Sequence, residues 1–184
     1  MIVVLNGYPG VGKLTIGRDL ATRLGGRLVD IHTLYNLAFA LTGFGTPAFR
    51  ETVARVEAIA DDLIGRLPAG EPVVFTTVLT GDGDWAREEW ARFVARGTAR
   101  PPLRMVHLWC DLNENIRRIE APERAGKGKL RGADVARRNH ANRAELIGAD
   151  LPHLLRLDVT DLSAGDAAAR IAAWCSTEAA GSRT

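Results

Sequence analysis

The sequence predicts an α/β fold of three layers, in which a five-stranded parallel sheet lies between two layers of helices. Five short apolar segments alternate along the chain with stretches of helical periodicity, as in parallel sheets covered on both faces. A glycine-rich loop directly follows the first apolar segment. The 184 residues, 46% hydrophobic and 25% charged, are typical of one globular domain, which we expect at residues 1–175 with a flexible tail at 176–184.

The first apolar segment, Ile2 to Leu5, predicts a strand, and the loop after it has the spacing G-x-x-x-x-G-K. The residues of the loop are Gly7, Tyr8, Pro9, Gly10, Val11, Gly12, Lys13, Leu14 and Thr15. Glycines at this spacing let backbone N–H groups turn inward around a polyphosphate, and the helix that follows adds its N-terminal dipole. Lys13 is expected to reach the outer phosphates. The loop predicts nucleotide binding, whereas the alternative is a glycine-rich turn without a ligand.

One position departs from the usual loop pattern. Position 14 normally carries Ser or Thr, whose hydroxyl binds the Mg²⁺ that accompanies the nucleotide, and Leu14 has no such group. Thr15 points about 100° away around the helix, so it suits an inner phosphate better than the metal. Mg²⁺ would then be held by phosphates, water and carboxylates elsewhere.

The other elements follow from periodicity and from residues that begin or end helices. The predicted strands are 27–30, 72–79, 103–110 and 154–159. The predicted helices are 12–24, 33–44, 46–67, 84–97, a segment around 116–119 that stops at Pro122, and 163–174. Thr46 with Pro47 is a strong helix start, Asp84 is expected to cap the fourth helix, and Ser163 to Asp166 resembles a capping box.

Asp30 ends the second predicted strand, where open α/β sheets place functional groups. It can accept a proton from a hydroxyl group or order a metal-bound water, and its alternative role is a helix N-cap. His32 either binds substrate, pairs with Asp30 or is structural. Tyr35 begins an apolar segment that forms either core or the wall of a substrate pocket. Asp82 follows the third strand and is a further candidate for substrate binding, with metal ligation there in doubt.

A basic segment lies between Arg117 and Arg143, where nine Lys or Arg against three acids leave an excess of six positive charges. Such a run is usually a solvated helix face. However, Arg124, Lys127 and Lys129 are separated by glycine-containing spacers rather than arranged on a helix. We therefore favour a mobile lid at about 122–132, in which Arg118 and Arg124 contact phosphate and Lys129 assists in nucleotide binding.

Composition limits the other functions. The net charge of +2 gives no bulk electrostatic argument for nucleic acid or membrane surfaces, and no apolar run approaches a membrane span of about 20 residues. The N-terminal segment lacks the features of a signal peptide. Cys110 and Cys175 are isolated thiols without metal-ligand spacing. We expect a cytoplasmic protein with no nucleic-acid or membrane partner.

The chain resembles the P-loop small-molecule kinases, a group that includes shikimate kinase, chloramphenicol phosphotransferase and nucleoside kinases. The resemblance extends over nearly the whole chain and rests on the loop Gly7 to Thr15, Val29 to His32, Arg117 to Arg131 and Leu155 to Thr160. More narrowly, the run Gly-x-Pro-Gly-Val-Gly-Lys-Leu-Thr at Gly7 to Thr15 and the segment Ala121 to Leu130 resemble an uncharacterised branch known as shikimate-kinase-like or AAA-family ATPase, in which Leu after the loop lysine is usual. The resemblance implies strand order 2-3-1-4-5, a lid over ATP and Mg²⁺, and an acceptor site beneath Asp30.

These features together predict transfer of a phosphoryl group from ATP to a hydroxyl of a small molecule, by a monomer or homodimer. A nucleoside monophosphate kinase is an alternative, but it needs convergent arginines for the acceptor's phosphate. Between Ile31 and Trp85 the chain offers only Arg50, Arg55 and Arg66. A nucleotide-binding module or NTPase without kinase activity is the other alternative, and Leu14 is its main support.

Overall fold

A computed structural model of the chain describes residues 1–81, 83–122, 132–142 and 146–181. At its centre lies a sheet of five parallel strands in the order β2-β3-β1-β4-β5, which confirms the predicted fold. The strands are β1 (Ile2–Asn6), β2 (Arg27–Asp30), β3 (Val73–Thr77), β4 (Leu103–Trp109) and β5 (Leu154–Asp158). The helices within the described ranges are α1 (Lys13–Leu24), α2 (Ile31–Leu41), α3 (Pro47–Gly65), α4 (Asp84–Ala99), α5 (Leu112–Glu120), α6 (Ala133–Asn142) and α7 (Ala164–Gly181).

Successive strand residues point to opposite sides of the sheet, so a strand that is apolar throughout presents apolar side chains on both faces. Helices cover both of these faces. Val3 and Leu5 of β1 pack into one apolar cluster with Ile16 of α1, and α7 contributes to the same cluster. Val4 packs into the opposite cluster with Phe93 of α4. All of β1 is buried, so its sequence is continuously apolar up to Asn6, as expected for a central parallel strand.

Parallel pairing brings the carboxyl ends of the strands to one edge of the sheet. Asn6 at the end of β1 is level with Thr77 of β3 and His107 of β4. On the neighbouring strand pair, Asp30 of β2 is level with Thr76 of β3. The phosphate-loop sequence after β1 and the carboxylate after β2 therefore share this edge, with the end of β3 between them.

Two helix starts confirm the local predictions and one does not. The Thr46 hydroxyl accepts from the backbone N–H of Phe49 at 3.2 Å, and the Ser163 hydroxyl accepts from the Asp166 N–H at 3.1 Å. The prediction that Asp84 caps α4 is wrong. Gly83 occupies the cap position, and the Asp84 carboxylate pairs with Arg87 at 2.6 Å within the first turn.

Some helix bounds differ from the sequence reading. The second helix begins at Ile31, directly after Asp30, and ends at Leu41. The last helix, α7, extends from Ala164 to Gly181, beyond the predicted end at 174, and the flexible tail expected at 176–184 stays a prediction. The hydroxyls of Ser176 and Thr177 donate to the carbonyls of preceding residues in the helix, each at 3.0 Å. These hydrogen bonds satisfy the hydroxyl groups while both residues remain helical.

The basic segment contains a helix, whereas the sequence favoured a lid and left a solvated helix face as the alternative. Residues Ala133–Asn142 form α6, which packs against α5. Residues 123–131, which carry most of the predicted lid, lie outside the described ranges. No helix in the described ranges is long and apolar enough to cross a membrane.

Candidate active site

The loop between β1 and α1 requires glycine at several positions. Gly10 and Gly12 have φ values of +95° and +99°, a region that other residues rarely adopt. A Cβ atom at Gly10 would lie 2.5 Å from Nδ2 of Asn115, and one at Gly7 would lie 2.4 Å from the carbonyl oxygen of Leu108. The loop therefore packs tightly onto β4 and α5, and its shape depends on these small residues.

Lys13 is the first residue of α1, and its side chain folds back along the loop. Its Nζ donates to the carbonyl oxygens of Gly7 at 2.5 Å and Tyr8 at 3.0 Å. Leu14 is half-buried and Thr15 is exposed at the start of the helix. The ammonium group thus lies within the loop, where phosphate oxygens can replace these carbonyl partners.

A cavity of about 370 Å³ adjoins the loop. Gly10, Gly12 and Thr15 line one side of it, and Arg117 of α5 and Leu162 after β5 line other parts. Its size lies within the range of small-ligand pockets. The cavity therefore extends from the loop toward α5 and the end of β5.

The Arg118 guanidinium group donates hydrogen bonds to its own helix, to the loop and to the residue after β5. Its Nε donates to Glu114 at 2.5 Å, its Nη1 to the carbonyl of Val11 at 3.1 Å and its Nη2 to the carbonyl of Val159 at 2.7 Å. Hydrogen bonds from Arg117 and from Arg118 lower the pKa of the Glu114 carboxyl to about 2. Arg118 therefore connects the loop to α5 and β5, and its expected contact with phosphate stays a prediction.

Asn115 is a site residue that the sequence analysis missed. It is fully buried, and its Nδ2 donates to the carbonyl of Pro9 in the loop at 3.0 Å. The available signal was its spacing, because Asn115 lies one helical turn before the apolar Ile119 and so shares its buried face. A buried amide on an apolar helix face needs a polar partner, and here the loop backbone is that partner.

Asp30 lies at the sheet edge and caps α2. Its Oδ1 accepts from the backbone N–H of His32 at 3.3 Å and from the hydroxyl of Thr76 at 3.0 Å. The alternative role as a helix cap is thus observed, and the carboxylate remains partly exposed. A catalytic role for the same carboxylate stays a prediction.

The other predicted substrate residues on α2 face different surroundings. The His32 ring lies 6.3 Å from the ring of Phe39. Tyr35 is buried among Phe49 and Trp85, and its hydroxyl donates to Glu57 at 3.4 Å. Tyr35 therefore packs in the core, which was one of the two alternatives for this segment. Because the side chain is buried, the structure does not expose it to a substrate, and its contact with substrate stays a prediction.

A buried ionic cluster joins α3, α4 and the end of β3, and the sequence analysis missed it. Glu57 is ion-paired with Arg92 and lies 3.8 Å from Arg96. The Thr77 hydroxyl donates to Glu89 at 2.5 Å, and burial raises the pKa of Glu89 to about 7. The signal was again spacing, because each glutamate lies one turn from a buried apolar residue of its own helix.

Three further candidates, Asp82, Arg124 and Lys129, lie outside the described residues. Among the residues that are described, no group of three or more His, Cys, Asp or Glu side chains is arranged to hold a metal ion. Leu14 offers no ligand atom where a loop hydroxyl would stand. The N–H and ammonium groups of the loop therefore fit a polyphosphate directly, whereas Mg²⁺ would be held through phosphate oxygens and water. A role for Asp30 in ordering such a water stays a prediction.

Residues 3–143 match the AAA domain family (AAA_18). The chain is 34% identical over 138 residues to a shikimate kinase of Bradyrhizobium diazoefficiens, a match that covers 72% of this chain and 58% of that enzyme. It thus spans somewhat less than two thirds of that relative. A shikimate kinase of Corynebacterium glutamicum is 31% identical over 169 residues, covering 83% of this chain and 96% of that enzyme.

A solved structure supports the same fold at lower sequence similarity. The tunicamycin resistance protein of Deinococcus radiodurans superposes with a TM-score of 0.63 at 19% identity, covering 95% of this chain and 94% of that one. At this identity the likeness concerns the fold alone. Because the domain match spans most of the sequence and the shikimate kinases align over most of it, the chain belongs to the P-loop small-molecule kinases.

Proposed function

We propose that this kinase transfers the γ-phosphoryl group of ATP, bound with Mg²⁺, to a hydroxyl group of a small molecule, and that Asp30 is the general base. The observation that carries the proposal is the shared edge of the sheet. The loop follows β1, Asp30 ends β2, and β3 lies between these strands. A donor phosphate on the loop and an acceptor hydroxyl beside Asp30 would then meet above the end of β3.

The chemistry needs positioning and charge more than covalent participation by the protein. The acceptor oxygen forms a bond to the γ-phosphorus while the bond from that phosphorus to the bridging oxygen of ADP breaks. Asp30 takes the proton of the hydroxyl group. Lys13 exchanges its loop carbonyl partners for phosphate oxygens, and the loop N–H groups and the start of α1 stabilise the negative charge.

Mg²⁺ supplies charge neutralisation between the phosphates of bound nucleotide. The residues of this chain would hold Mg²⁺ indirectly, because Leu14 stands where the hydroxyl ligand would be. In the described part of the chain, Asp30 provides a carboxylate on the proposed acceptor side of the loop. We expect its coordination to rely on phosphate oxygens and water, with Asp30 ordering one such water.

The acceptor is a small hydroxylated metabolite in this proposal. Shikimate is the first compound to test, because the sequence relatives are named shikimate kinases. A nucleoside monophosphate is less well supported, since its phosphate needs cations free to bind it. Arg50, Arg55 and Arg66 are each paired with a carboxylate of the protein, at 2.7, 2.6 and 2.6 Å.

The test is transfer of label from [γ-³²P]ATP to shikimate, to other hydroxylated metabolites and to nucleoside monophosphates, with water as the blank. We expect one hydroxylated acceptor to become labelled in an Mg²⁺-dependent reaction, and no labelling with Lys13→Ala. Labelling of a nucleoside monophosphate alone would favour the second candidate. Hydrolysis of ATP at a rate that no acceptor changes would contradict kinase activity toward the tested compounds and favour a nucleotide-hydrolysing module.

A further inference from the structure

Asn6 is the last residue of β1 and immediately precedes Gly7, the first residue of the loop. Its side chain is fully buried and binds both backbone groups of Leu79. The Nδ2 group donates to the Leu79 carbonyl at 3.0 Å, and Oδ1 accepts from the Leu79 N–H at 2.8 Å. The amide thus extends the pairing of β1 with the β3 chain beyond the point where the β1 backbone leaves the sheet.

The same amide reaches a second stretch of backbone. Nδ2 of Asn6 also donates to the carbonyl of Ile147 at 3.3 Å, and His107 Nε2 lies 3.0 Å from that oxygen. The Ile147 N–H donates to the Leu79 carbonyl at 3.1 Å, and Thr80 forms an antiparallel bridge with Leu146. Asn6 therefore lies under a junction of the chain that leaves β3 with the chain that follows α6.

The row of the sheet that holds this junction is polar. Thr77, Asn6 and His107 are level with one another on adjacent strands, and all three are buried. Two residues earlier, the row on the same face is Phe75, Val4 and Met105, which is entirely apolar. A buried amide is costly unless its groups are bonded, so an apolar residue at position 6 would serve simple packing better.

The junction lies near the strands that lead to the proposed phosphate-donor site and the proposed acceptor site. Strand β3 lies between β1, which leads into the loop, and β2, which ends at Asp30. The chain that leaves β3 therefore starts between the strands that lead to the proposed donor and acceptor sites, and at Leu79 it is bonded to Asn6 on the donor side. A Cβ atom at Gly7, the residue after Asn6, would lie 2.4 Å from the carbonyl oxygen of Leu108, so the start of the loop packs closely against β4.

We propose that Asn6 is a positioning residue that couples phosphate binding in the loop to the backbone at Leu79 and Ile147, and so aligns the acceptor side with the donor. The inference rests on the proposed function, because it assumes that the loop binds nucleotide. The Asn6 side chain is fully buried. It acts through the two backbone segments that its amide holds.

Hydrogen exchange at the Leu79 and Ile147 amides tests this coupling without requiring phosphoryl transfer. In the wild-type chain, a saturating non-hydrolysable ATP analogue should slow exchange at both amides by about 10-fold, equivalent to about 1.4 kcal/mol. In Asn6→Ala this slowing should be lost, although the analogue still binds with an affinity within about 3-fold of wild type. With shikimate or whichever acceptor the labelling screen identifies, kcat should fall about 10-fold or more, while KM for ATP changes little.

Asn115→Ala is the matched control, because Asn115 is equally buried and donates to the loop at Pro9. It should weaken binding of the analogue, yet at saturation it should keep the slowing at Leu79 and Ile147. If Asn6→Ala does not fold, Asn6→Asp retains the shape and the acceptor for the Leu79 N–H but lacks the Nδ2 donor. That variant should lose the slowing at Ile147.

Two results would overturn the inference alone. One is slowing of wild-type size at Ile147 in the Asn6 variants, and the other is a wild-type chain that binds the analogue without any change in exchange at Leu79 and Ile147. Calorimetric titration separates these from failure of the proposed function. A wild-type chain that gives no binding heat with the analogue rejects the proposed function and, with it, the coupling.

Discussion

At the scale of single residues, Asp30 already has a structural use, since its Oδ1 accepts from the His32 N–H and the Thr76 hydroxyl. Asp30→Asn keeps an oxygen for these bonds and removes the charge and the proton acceptor. We expect phosphoryl transfer to fall by about 10² to 10⁴, the usual contribution of a general base, while nucleotide affinity and thermal stability change little. Transfer assays and thermal melting measure the two effects.

Asp30→Ala is the control, because it removes the cap as well as the base. It should lower the free energy of unfolding by about 1 kcal/mol in addition to causing the same fall in phosphoryl transfer. If Asp30→Asn transfers phosphate at the wild-type rate and only stability shifts in either variant, Asp30 is a helix cap alone. The base would then be sought at Asp82 after β3, at Asp84 at the start of α4, or at Asp111, which follows β4 and caps α5.

Leu14 offers a second test at the residue scale. Leu14→Ser restores the hydroxyl that most such loops contribute to Mg²⁺, so the Mg²⁺ concentration for half-maximal activity should fall or stay the same. Leu14→Ala shortens the side chain without adding a ligand and controls for packing, since Leu14 is half-buried. A large loss of activity in both variants would instead identify Leu14 as a packing residue of the loop helix.

At the scale of elements, local signals predicted the fold well. The starts of α3 and α7 followed from Thr46 and Ser163, because a cap depends only on a side chain and backbone N–H groups within one turn. The continuous apolar runs predicted central parallel strands. Asp84 was misplaced by one residue because Gly83 already has the extended conformation of a cap, and sequence alone does not separate adjacent candidates.

The site was less predictable than the fold, since part of it depends on contacts between distant segments. The loop and the edge position of Asp30 followed from spacing and strand order. The role of Asn6 was missed, because its partners Leu79 and Ile147 lie far along the chain. Glu57 and Glu89 were missed for the same reason, since their burial depends on how α3 and α4 pack together.

The contact between α4 and β3 predicts a pH dependence of stability. Burial raises the pKa of Glu89 from 4.5 to about 7, so between these values the folded chain holds a proton that the unfolded chain has released. The contribution of Glu89 is therefore present at low pH and is lost as pH rises through about 7. The shift corresponds to about 3 kcal/mol at most. Denaturant unfolding at pH 5 and pH 8 measures it.

Glu89→Gln keeps an acceptor for the Thr77 hydroxyl and does not ionise. We expect it to gain stability relative to wild type as pH rises from 5 to 8. Glu88→Gln makes the same change at an exposed position of α4 and controls for altered helix propensity and loss of its pair with Arg50. A constant difference between Glu89→Gln and wild type across this range would contradict the raised pKa of Glu89.

At the scale of the whole molecule, the strand order concentrates the candidate site. After β1 the chain forms β2 and β3 on one side of that strand and then crosses to form β4 and β5 on the other side. Such a reversal of direction opens a crevice beyond the carboxyl ends of the strands. The loop lies at this crevice, α5 supports it through Asn115 and Arg118, and Asp30 lies two strands away. Binding at the loop should therefore stabilise the sheet and the helices around it together.

Ligand-linked melting tests this expectation. A non-hydrolysable ATP analogue at 100 times its Kd should add about 2.7 kcal/mol to the free energy of unfolding. For a chain of this size, that corresponds to a rise in Tm of roughly 5 to 10 °C. Lys13→Ala should show no rise at the same concentration, because it removes the ammonium group that lies within the loop. Arg55→Ala removes a cation from an exposed pair with Glu51 on α3 and should keep the full rise. An unchanged Tm for the wild-type chain at millimolar analogue would mean that the loop does not bind nucleotide, whereas an equal rise in Lys13→Ala would place the nucleotide elsewhere.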